Sequence, residues 1–140
     1  MILITSSIEK LKISNFRKDE LIKLTQDYSA KSSKIGKYNV IIETISLENT
    51  NESKEIASNM VNNFDVDICI LFSNISGKTT IVGSTKPSVD LDISIITNDL
   101  SSLYGGGASK DPNLSIGGGP GNYETSKAID VAIKSITRLI

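Results

Sequence analysis

Residues 103–122 read Leu-Tyr-Gly-Gly-Gly-Ala-Ser-Lys-Asp-Pro-Asn-Leu-Ser-Ile-Gly-Gly-Gly-Pro-Gly-Asn, and this stretch contains seven of the ten glycines in the 140-residue chain. Two glycine triplets flank a polar loop of nine residues. Glycine costs backbone entropy on folding, and it is found where a chain needs a positive φ or where another group approaches the backbone closely. Its concentration here indicates either a demanding piece of local structure or a binding site.

Two interpretations of the stretch are open. In the structural one, Gly105 to Gly107 end a helix with a left-handed cap, and Gly117 to Gly121 allow a tight crossing before the next helix. In the functional one, exposed glycine amides and the N-terminus of a helix beginning near Tyr123 hold a phosphate or a sugar-phosphate backbone. Ser109 and Lys110 would then add a hydroxyl group and a mobile positive charge.

The composition excludes several classes of site. The chain has no histidine and a single cysteine, Cys69, in an apolar run; this excludes histidine-based catalysis, disulfides within the chain and clusters of cysteine ligands. We interpret the acidic pairs Asp65/Asp67 and Asp90/Asp92 as solvated residues, and we predict no metal site and no cofactor. No apolar run approaches the roughly 18 residues that span a bilayer. We therefore expect a cytoplasmic protein without a membrane partner.

The charge is unevenly distributed, although the net charge is only −1. Residues 1–37 carry eight basic and four acidic residues, whereas residues 38–100 carry three basic and nine acidic residues. We predict a basic N-terminal lead-in and helix over residues 1–37, in which residues 1–13 form an edge strand or an irregular segment. The main domain is predicted over residues 38–140.

Hydrophobic periodicity predicts the elements of the first hundred residues. They are a helix over 17–30, a basic loop over 31–37, a strand over 38–47, a helix from a cap at Thr50 or Asn51 to Phe64, a strand over 65–72, a hairpin turn over 73–78 and a strand over 79–83. The run Ser76-Gly-Lys-Thr-Thr80 resembles the end of a phosphate-binding P-loop. Phe72 stands where that loop needs its first glycine, so we interpret the run as a hairpin turn.

Residues 88–104 are ambiguous, because their apolar positions alternate as in a strand and also follow helical spacing. We predict a helix that begins just after Pro87, since the helical pattern covers more of the segment. A short strand around Ile116 and a helix from Tyr123 to Leu139, capped by Asn122, complete the chain. These elements predict an α/β fold, a single compact domain with a mixed β-sheet flanked by helices.

The order of Gly83-Ser-Thr-Lys86, a helix, Tyr104-Gly-Gly-Gly107, a small-residue loop, a strand and a last helix resembles the DHHA1 domain. That domain is the C-terminal part of RecJ-type exonucleases and related phosphoesterases, and of alanyl-tRNA synthetase. The resemblance covers residues 38–140 and implies a DHHA1-like fold that binds nucleic acid. With the polar loop added, the nucleic-acid-binding residues are predicted to be Ser84, Lys86, Gly105, Gly106, Gly107, Ser109 and Lys110. Ala108 stands where many members have histidine.

The resemblance also implies a function. The sequence has no counterpart to the catalytic DHH domain and its metal-binding aspartates, so we expect a module that is not an enzyme. It is similar in this respect to a RecJ-related archaeal protein that associates with GINS and the MCM helicase at the replication fork. We expect GINS or MCM as the protein partner and single-stranded DNA at the glycine loop. The alternative is a tRNA-binding or dimerisation module related to the C-terminal domain of alanyl-tRNA synthetase.

Overall fold

A six-stranded mixed sheet is the middle layer of the computed structural model, which describes residues 17–140. Its strands are β1 (Ser33–Ile35), β2 (Tyr38–Thr44), β3 (Ile68–Ile75), β4 (Lys78–Thr85), β5 (Gly107–Ala108) and β6 (Leu114–Gly119). The helices are α1 (residues 17–29 of the described part), α2 (Thr50–Asn63), α3 (Ile93–Leu103) and α4 (Thr125–Leu139). The predicted α/β fold is confirmed. The prediction for residues 1–13 lies outside the described residues.

The strand order is β1-β2-β3-β4-β6-β5, and β2 with β3 is the parallel pair in an otherwise antiparallel sheet. A parallel pair needs a crossover connection, which α2 supplies. None of the helices formed by residues 17–140 is long and apolar enough to cross a lipid bilayer.

Both faces of the sheet are covered, as the apolar run of β3 predicts. Ile68, Ile70 and Phe72 pack with α3 and α4 on one face, whereas Cys69 and Leu71 pack with α1 and α2 on the other. Residues 17–140 therefore form three layers, with two helices on each side of the sheet. Burial raises the pKa of the Cys69 thiol to about 12, which confirms that this cysteine is an inert part of the core.

The prediction of a basic loop over residues 31–37 is wrong, because this segment contains β1. Ser33–Ile35 pairs with β2 in a tight hairpin whose turn is Gly36-Lys37. Gly36 has a φ of 60°, which a glycine at the first turn position adopts at little cost. The hairpin places residues 33–35, which belong to the predicted N-terminal segment, in the sheet, and the domain division at residue 37 stays a prediction.

The hairpin between β3 and β4 is confirmed. Ser76 and Gly77 have φ values of 54° and 79°, as the two central residues of a type I′ turn require. The residues after Lys78 form a strand that pairs with β3. A P-loop would need a helix at that point.

The helix starts differ from the predicted ones by a few residues. The α2 helix is capped by Asn49, whose side chain accepts a hydrogen bond from the Glu52 backbone N–H. The α3 helix begins at Ile93 behind the cap Asp92, and the turn and irregular segment before it bury the side chains of Val89 and Leu91 in the core. The helical pattern in residues 88–104 is therefore confirmed from Ile93 onward, and residues 88–92 form no strand.

The last helix also begins later than predicted. It starts at Thr125 after Glu124, not at Tyr123 behind a cap at Asn122, and no side chain caps its N-terminus. Tyr123 instead lies edge-on against the Tyr104 ring, with the ring centroids 5.8 Å apart. The connection is not helical until Thr125.

The two glycine triplets pack directly against each other. Gly105 ends α3 with a φ of 81°, which confirms the predicted left-handed cap. A side chain on Gly106 would overlap the Gly118 carbonyl group, and one on Gly118 would overlap the Thr79 carbonyl group. The second triplet, Gly117 to Gly119, belongs to β6, and side chains on Gly118 and Gly119 would overlap the Thr79 and Tyr104 carbonyl groups, so the predicted close approach of backbones at these glycines is present. The backbones of the two triplets are thus in direct contact at Gly106 and Gly118, and we call this contact the interlock.

An ion pair attaches α1 to α2. The Arg17 guanidinium donates two hydrogen bonds of 2.7 Å to the Glu52 carboxylate, which also accepts one of 2.8 Å from the Glu48 backbone N–H. The Glu52 side chain is only 9% exposed. These hydrogen bonds, first those from Arg17, lower the pKa of Glu52 because they favour its charged form.

We expect Gly106→Ala to destabilise the fold by about 1 to 3 kcal/mol, because the added methyl group forces the backbone of β6 to move. The matched control is Gly107→Ala, whose methyl group would lie 3.5 Å from Asn98 Oδ1, an ordinary contact. That variant should stay within about 0.5 kcal/mol of the wild type. Urea unfolding followed by circular dichroism measures both. Equal stability of the two variants would contradict the interlock.

We expect Glu52→Gln to lower the free energy of unfolding by about 1 to 3 kcal/mol at pH 7. The pKa of Glu52 is lower in the folded protein, so its contribution is present above the ordinary glutamate pKa and is lost as the pH falls below about 4. The difference between wild type and variant should therefore shrink between pH 7 and pH 3 in urea titrations. Glu55→Gln, an exposed change on the same helix, should show no such difference, and a gap at pH 3 as large as that at pH 7 would refute the assignment.

Candidate nucleic-acid interface

The polar loop between the triplets lies at the end of the sheet where β4 ends and β6 begins. Its backbone is anchored on both sides. The Thr85 N–H donates to the Asn113 carbonyl at 3.0 Å, and the Ile93 N–H donates to the Pro112 carbonyl at 3.0 Å. The loop is therefore fixed against both β4 and the first turn of α3.

An open cavity of about 460 Å³ lies between this loop and α3. The residues that line it are Asp92, Ser94, Ile95 and Asn98 from α3 and its cap, and Ala108, Ser109 and Lys110 from the loop. The Ser109 hydroxyl accepts a hydrogen bond of 3.0 Å from the Ile116 N–H, and the Ser109 carbonyl accepts one of 2.7 Å from the Ser115 hydroxyl. Ser109 is thus held in place, while its hydroxyl hydrogen remains available to a ligand.

Asn98 belongs to this site, although the sequence did not single it out. Its side-chain oxygen accepts a hydrogen bond of 3.3 Å from the Ala108 N–H, which ties β5 to α3, and its amide group lines the cavity. Gly107 is exposed directly beside it. Several polar residues occupy the exposed face of α3, so nothing in the sequence distinguished Asn98 from its neighbours.

Lys110 is the one cation among the described residues that line the cavity. Two nearby carboxylates accept hydrogen bonds from groups of the protein itself. Asp92 accepts from the Ser94 N–H and hydroxyl, and Asp111 accepts from the N–H groups of Asn113 and Leu114. The site therefore presents one mobile positive charge, the negative charge of the Asp92 carboxylate and several neutral polar groups to a ligand.

Ser84 and Lys86 do not line this cavity. Ser84 is buried on the opposite face of the sheet, where its hydroxyl donates a hydrogen bond of 2.7 Å to the Ala57 carbonyl in α2. Lys86 lies 3.0 Å from Asp65 and 3.4 Å from Asp67, and its pKa is raised, chiefly by the hydrogen bond with Asp65. Ser84 therefore helps to join the sheet to α2. The positive charge of Lys86 is paired with the carboxylates of Asp65 and Asp67.

Fewer backbone N–H groups of the first triplet are free to bind a ligand than predicted. The N–H of Gly105 donates to the Ser102 carbonyl at 3.1 Å, and the N–H of Gly106 donates to the Ser101 carbonyl at 3.0 Å. Both amides complete the last turn of α3 and are not available to a phosphate. The N-terminus of α4 is also remote from Lys110, because it lies beside Asn74 and Thr79 at the opposite end of the sheet.

The geometry reduces the predicted site to three of its seven residues, Gly107, Ser109 and Lys110, and adds Asn98. We call these four residues the loop surface. Within residues 17–140, no three side chains of histidine, cysteine, aspartate or glutamate come together as a metal site would require.

Neither the family models nor the curated protein sequences compared with this chain gave a match. The structure is similar to the C-Ala domain of Aquifex aeolicus alanyl-tRNA synthetase, with a TM-score of 0.68 and 13% sequence identity. The similarity covers 76% of this chain and 97% of that domain.

Two larger proteins share the fold. An exopolyphosphatase-related protein from Bacteroides fragilis matches with a TM-score of 0.52 and 15% identity, over 85% of this chain and 35% of its own. A pGpG-specific phosphodiesterase from Vibrio cholerae matches with a TM-score of 0.53 and 13% identity, over 94% of this chain and 43% of its own. The chain spans less than half the length of either protein. At these identities the likeness is one of fold, and it confirms the predicted DHHA1-like fold.

Proposed function

We propose that the chain is a non-catalytic module that binds nucleic acid through the loop surface. One observation carries the proposal: Asn98, Ser109 and Lys110 line one open cavity, Gly107 is exposed beside Asn98, and hydrogen bonds with backbone groups fix the walls. A contact surface held on rigid elements recognises a ligand with little loss of conformational entropy. The fold shared with a domain of a tRNA synthetase supports the same class of ligand.

The loop surface suits a single strand better than a duplex. Ile95 is 47% exposed beside the cavity, and its apolar side chain can cover the face of an unstacked base. Lys110 meets one phosphate, while Ser109 and Asn98 offer hydrogen bonds to sugar or base edges. No aromatic ring among the described residues lines the cavity, so base stacking contributes little and the affinity should be low.

Single-stranded DNA is the proposed ligand, and tRNA is the alternative. The two are distinguished by competition, in which labelled single-stranded DNA on the protein is displaced by unlabelled tRNA. If tRNA displaces the labelled DNA at far lower concentrations than unlabelled single-stranded DNA does, tRNA is favoured as the ligand.

Association with GINS or the MCM helicase is the proposed cellular context, and it rests on the resemblance to the RecJ-related protein alone. We expect GINS or MCM subunits to be recovered when the tagged full chain is isolated from extracts of cells that encode it. Mass spectrometry would identify them, with the tag alone as control. Recovery of a tRNA synthetase without replication proteins would contradict this context.

We expect Lys110→Glu to weaken binding of a single-stranded oligonucleotide by about tenfold in low salt, because it replaces a phosphate contact with a repulsive charge. It should also reduce the slope of log affinity against log salt by about 0.7, the value for one phosphate on a single strand. Fluorescence anisotropy across a salt series measures both quantities.

The matched control is Lys78→Glu. Lys78 is the exposed first residue of β4, at the opposite end of the sheet, and undergoes the same charge change. If the two variants lose affinity equally, the binding reflects overall charge and the loop surface is not the site. Absence of any binding by the wild type in low salt would overturn the proposed function.

A further inference from the structure

We propose that a groove along β1 is a docking surface for an acidic, apolar segment of a partner protein, which pairs with β1 as an added strand. The groove has a volume of about 290 Å³. We call it the β1 groove and define it by Lys31, Lys34, Ile35, Ile42, Ile129 and Ile133, all of which line it. It lies between the first hairpin and α4, on the other edge of the sheet from the loop surface.

The wall of the β1 groove is apolar. Ile35 and Ile42 from the sheet and Ile129 from α4 are half-buried, and Ile133 remains 40% exposed. The α4 helix packs against β1 and β2 but leaves these side chains open on one side. A β-branched or leucine side chain of a partner would complete this packing and bury surface that now faces water.

The backbone of β1 can accept a further strand. It is the outermost strand on its side of the sheet among residues 17–140. In a two-residue hairpin the pair that flanks the turn, here Ile35 and Tyr38, exchanges both hydrogen bonds. The N–H and carbonyl groups of Lys34 therefore point away from β2, where an added strand would pair with them.

The charge around the groove favours an acidic partner. Lys31, Lys34 and Lys37 surround β1, and within the described residues none of them forms an ion pair. Glu43 is the one acidic residue among the described residues that line the groove. The groove lining thus has two basic residues and one acidic residue, and Lys37 in the adjoining turn adds a positive charge. The resulting positive rim complements carboxylates placed between the apolar residues of the partner.

The same observations argue against other occupants. Lys31 lies over the Tyr28 ring at 4.6 Å and Lys37 over the Tyr38 ring at 5.3 Å, so these ring faces are not open to nucleic-acid bases. A second copy of the chain pairing through β1 would bring the two basic rims together, which costs free energy. An acidic, apolar peptide would pack on the apolar walls, pair with the backbone of β1 and place its carboxylates beside the lysines of the rim.

The inference does not rest on the proposed function, because it involves no residue of the loop surface. Its test begins with a display library of random twelve-residue peptides, selected on the immobilised full chain. We expect the enriched peptides to alternate aspartate or glutamate with β-branched or leucine residues. The synthetic form of the most enriched peptide is then titrated by fluorescence anisotropy.

We expect Ile133→Asp and Lys34→Glu each to weaken the binding of that peptide by at least about tenfold, which corresponds to about 1.4 kcal/mol. The controls are Ile95→Asp, which places the same charge on an equally exposed isoleucine of α3, and Lys78→Glu. Both should bind the peptide as the wild type does, and thermal unfolding confirms that all four variants are folded.

Three results would overturn the inference. The first is a selection that enriches no acidic, apolar peptides, or one whose enriched peptides bind Ile133→Asp and Lys34→Glu as tightly as the wild type. The second is a dimer of the wild type in sedimentation that Ile133→Asp dissociates, since the groove would then hold a second copy. The third is a single-stranded oligonucleotide whose binding depends on Lys34 more than on Lys110, since the rim would then contact nucleic acid.

Discussion

The rest of the structure depends on the contact between the backbones of the two glycine triplets. Gly106 packs on the carbonyl group of Gly118, and Gly118 packs on that of Thr79, without space for a side chain at either position. Three segments distant in the sequence thereby meet at backbone distance. The Gly121 N–H donates to the Tyr104 carbonyl at 2.8 Å, which joins the start of the last connection to the end of α3. The layer of α3 and α4 is held on the sheet at this point.

This contact separates the two interpretations of the glycine-rich stretch. The triplets serve the architecture, because their amides complete α3 and their lack of side chains permits the interlock. The residues between them serve the candidate site, because Ser109 and Lys110 face an open cavity. A concentration of glycine that resembles a phosphate-binding loop is here the support for a short polar loop. In the proposed function the side chains of this loop contact the ligand, and the glycines of the interlock hold the loop in position.

Much of the fold could be predicted because β3 and α3 have readable patterns. The unbroken apolar run of β3 indicated burial on both faces, and Ser76-Gly77 indicated the turn that follows. Strand β1 could not be predicted, since Ser33 and Lys34 have little intrinsic preference for a strand and are extended only because β2 pairs with them. Pairing between segments is a tertiary effect, and local periodicity does not contain it.

The candidate site was harder to predict for a related reason. Ser84 has the chemistry of a binding residue, but the register between β3 and β4 turns it toward α2. Lys86 has the right charge, but Asp65 and Asp67 reach it from the start of β3. A strand presents alternate residues to opposite faces. Which face carries the candidate site depends on the helices that cover the sheet, and that packing cannot be inferred from the local pattern of one sequence.

The position of the two candidate surfaces explains how a chain with a net charge of −1 could bind an anionic strand and an acidic partner together. The loop surface lies beside β5 and the β1 groove beside β1, which are the two edges of the six-stranded sheet. Five strand spacings of about 4.8 Å place these edges about 24 Å apart, well beyond the screening length of about 8 Å at physiological salt. A ligand at one edge therefore leaves the field at the other nearly unchanged. The rigid sheet between them would let the protein hold both ligands at once.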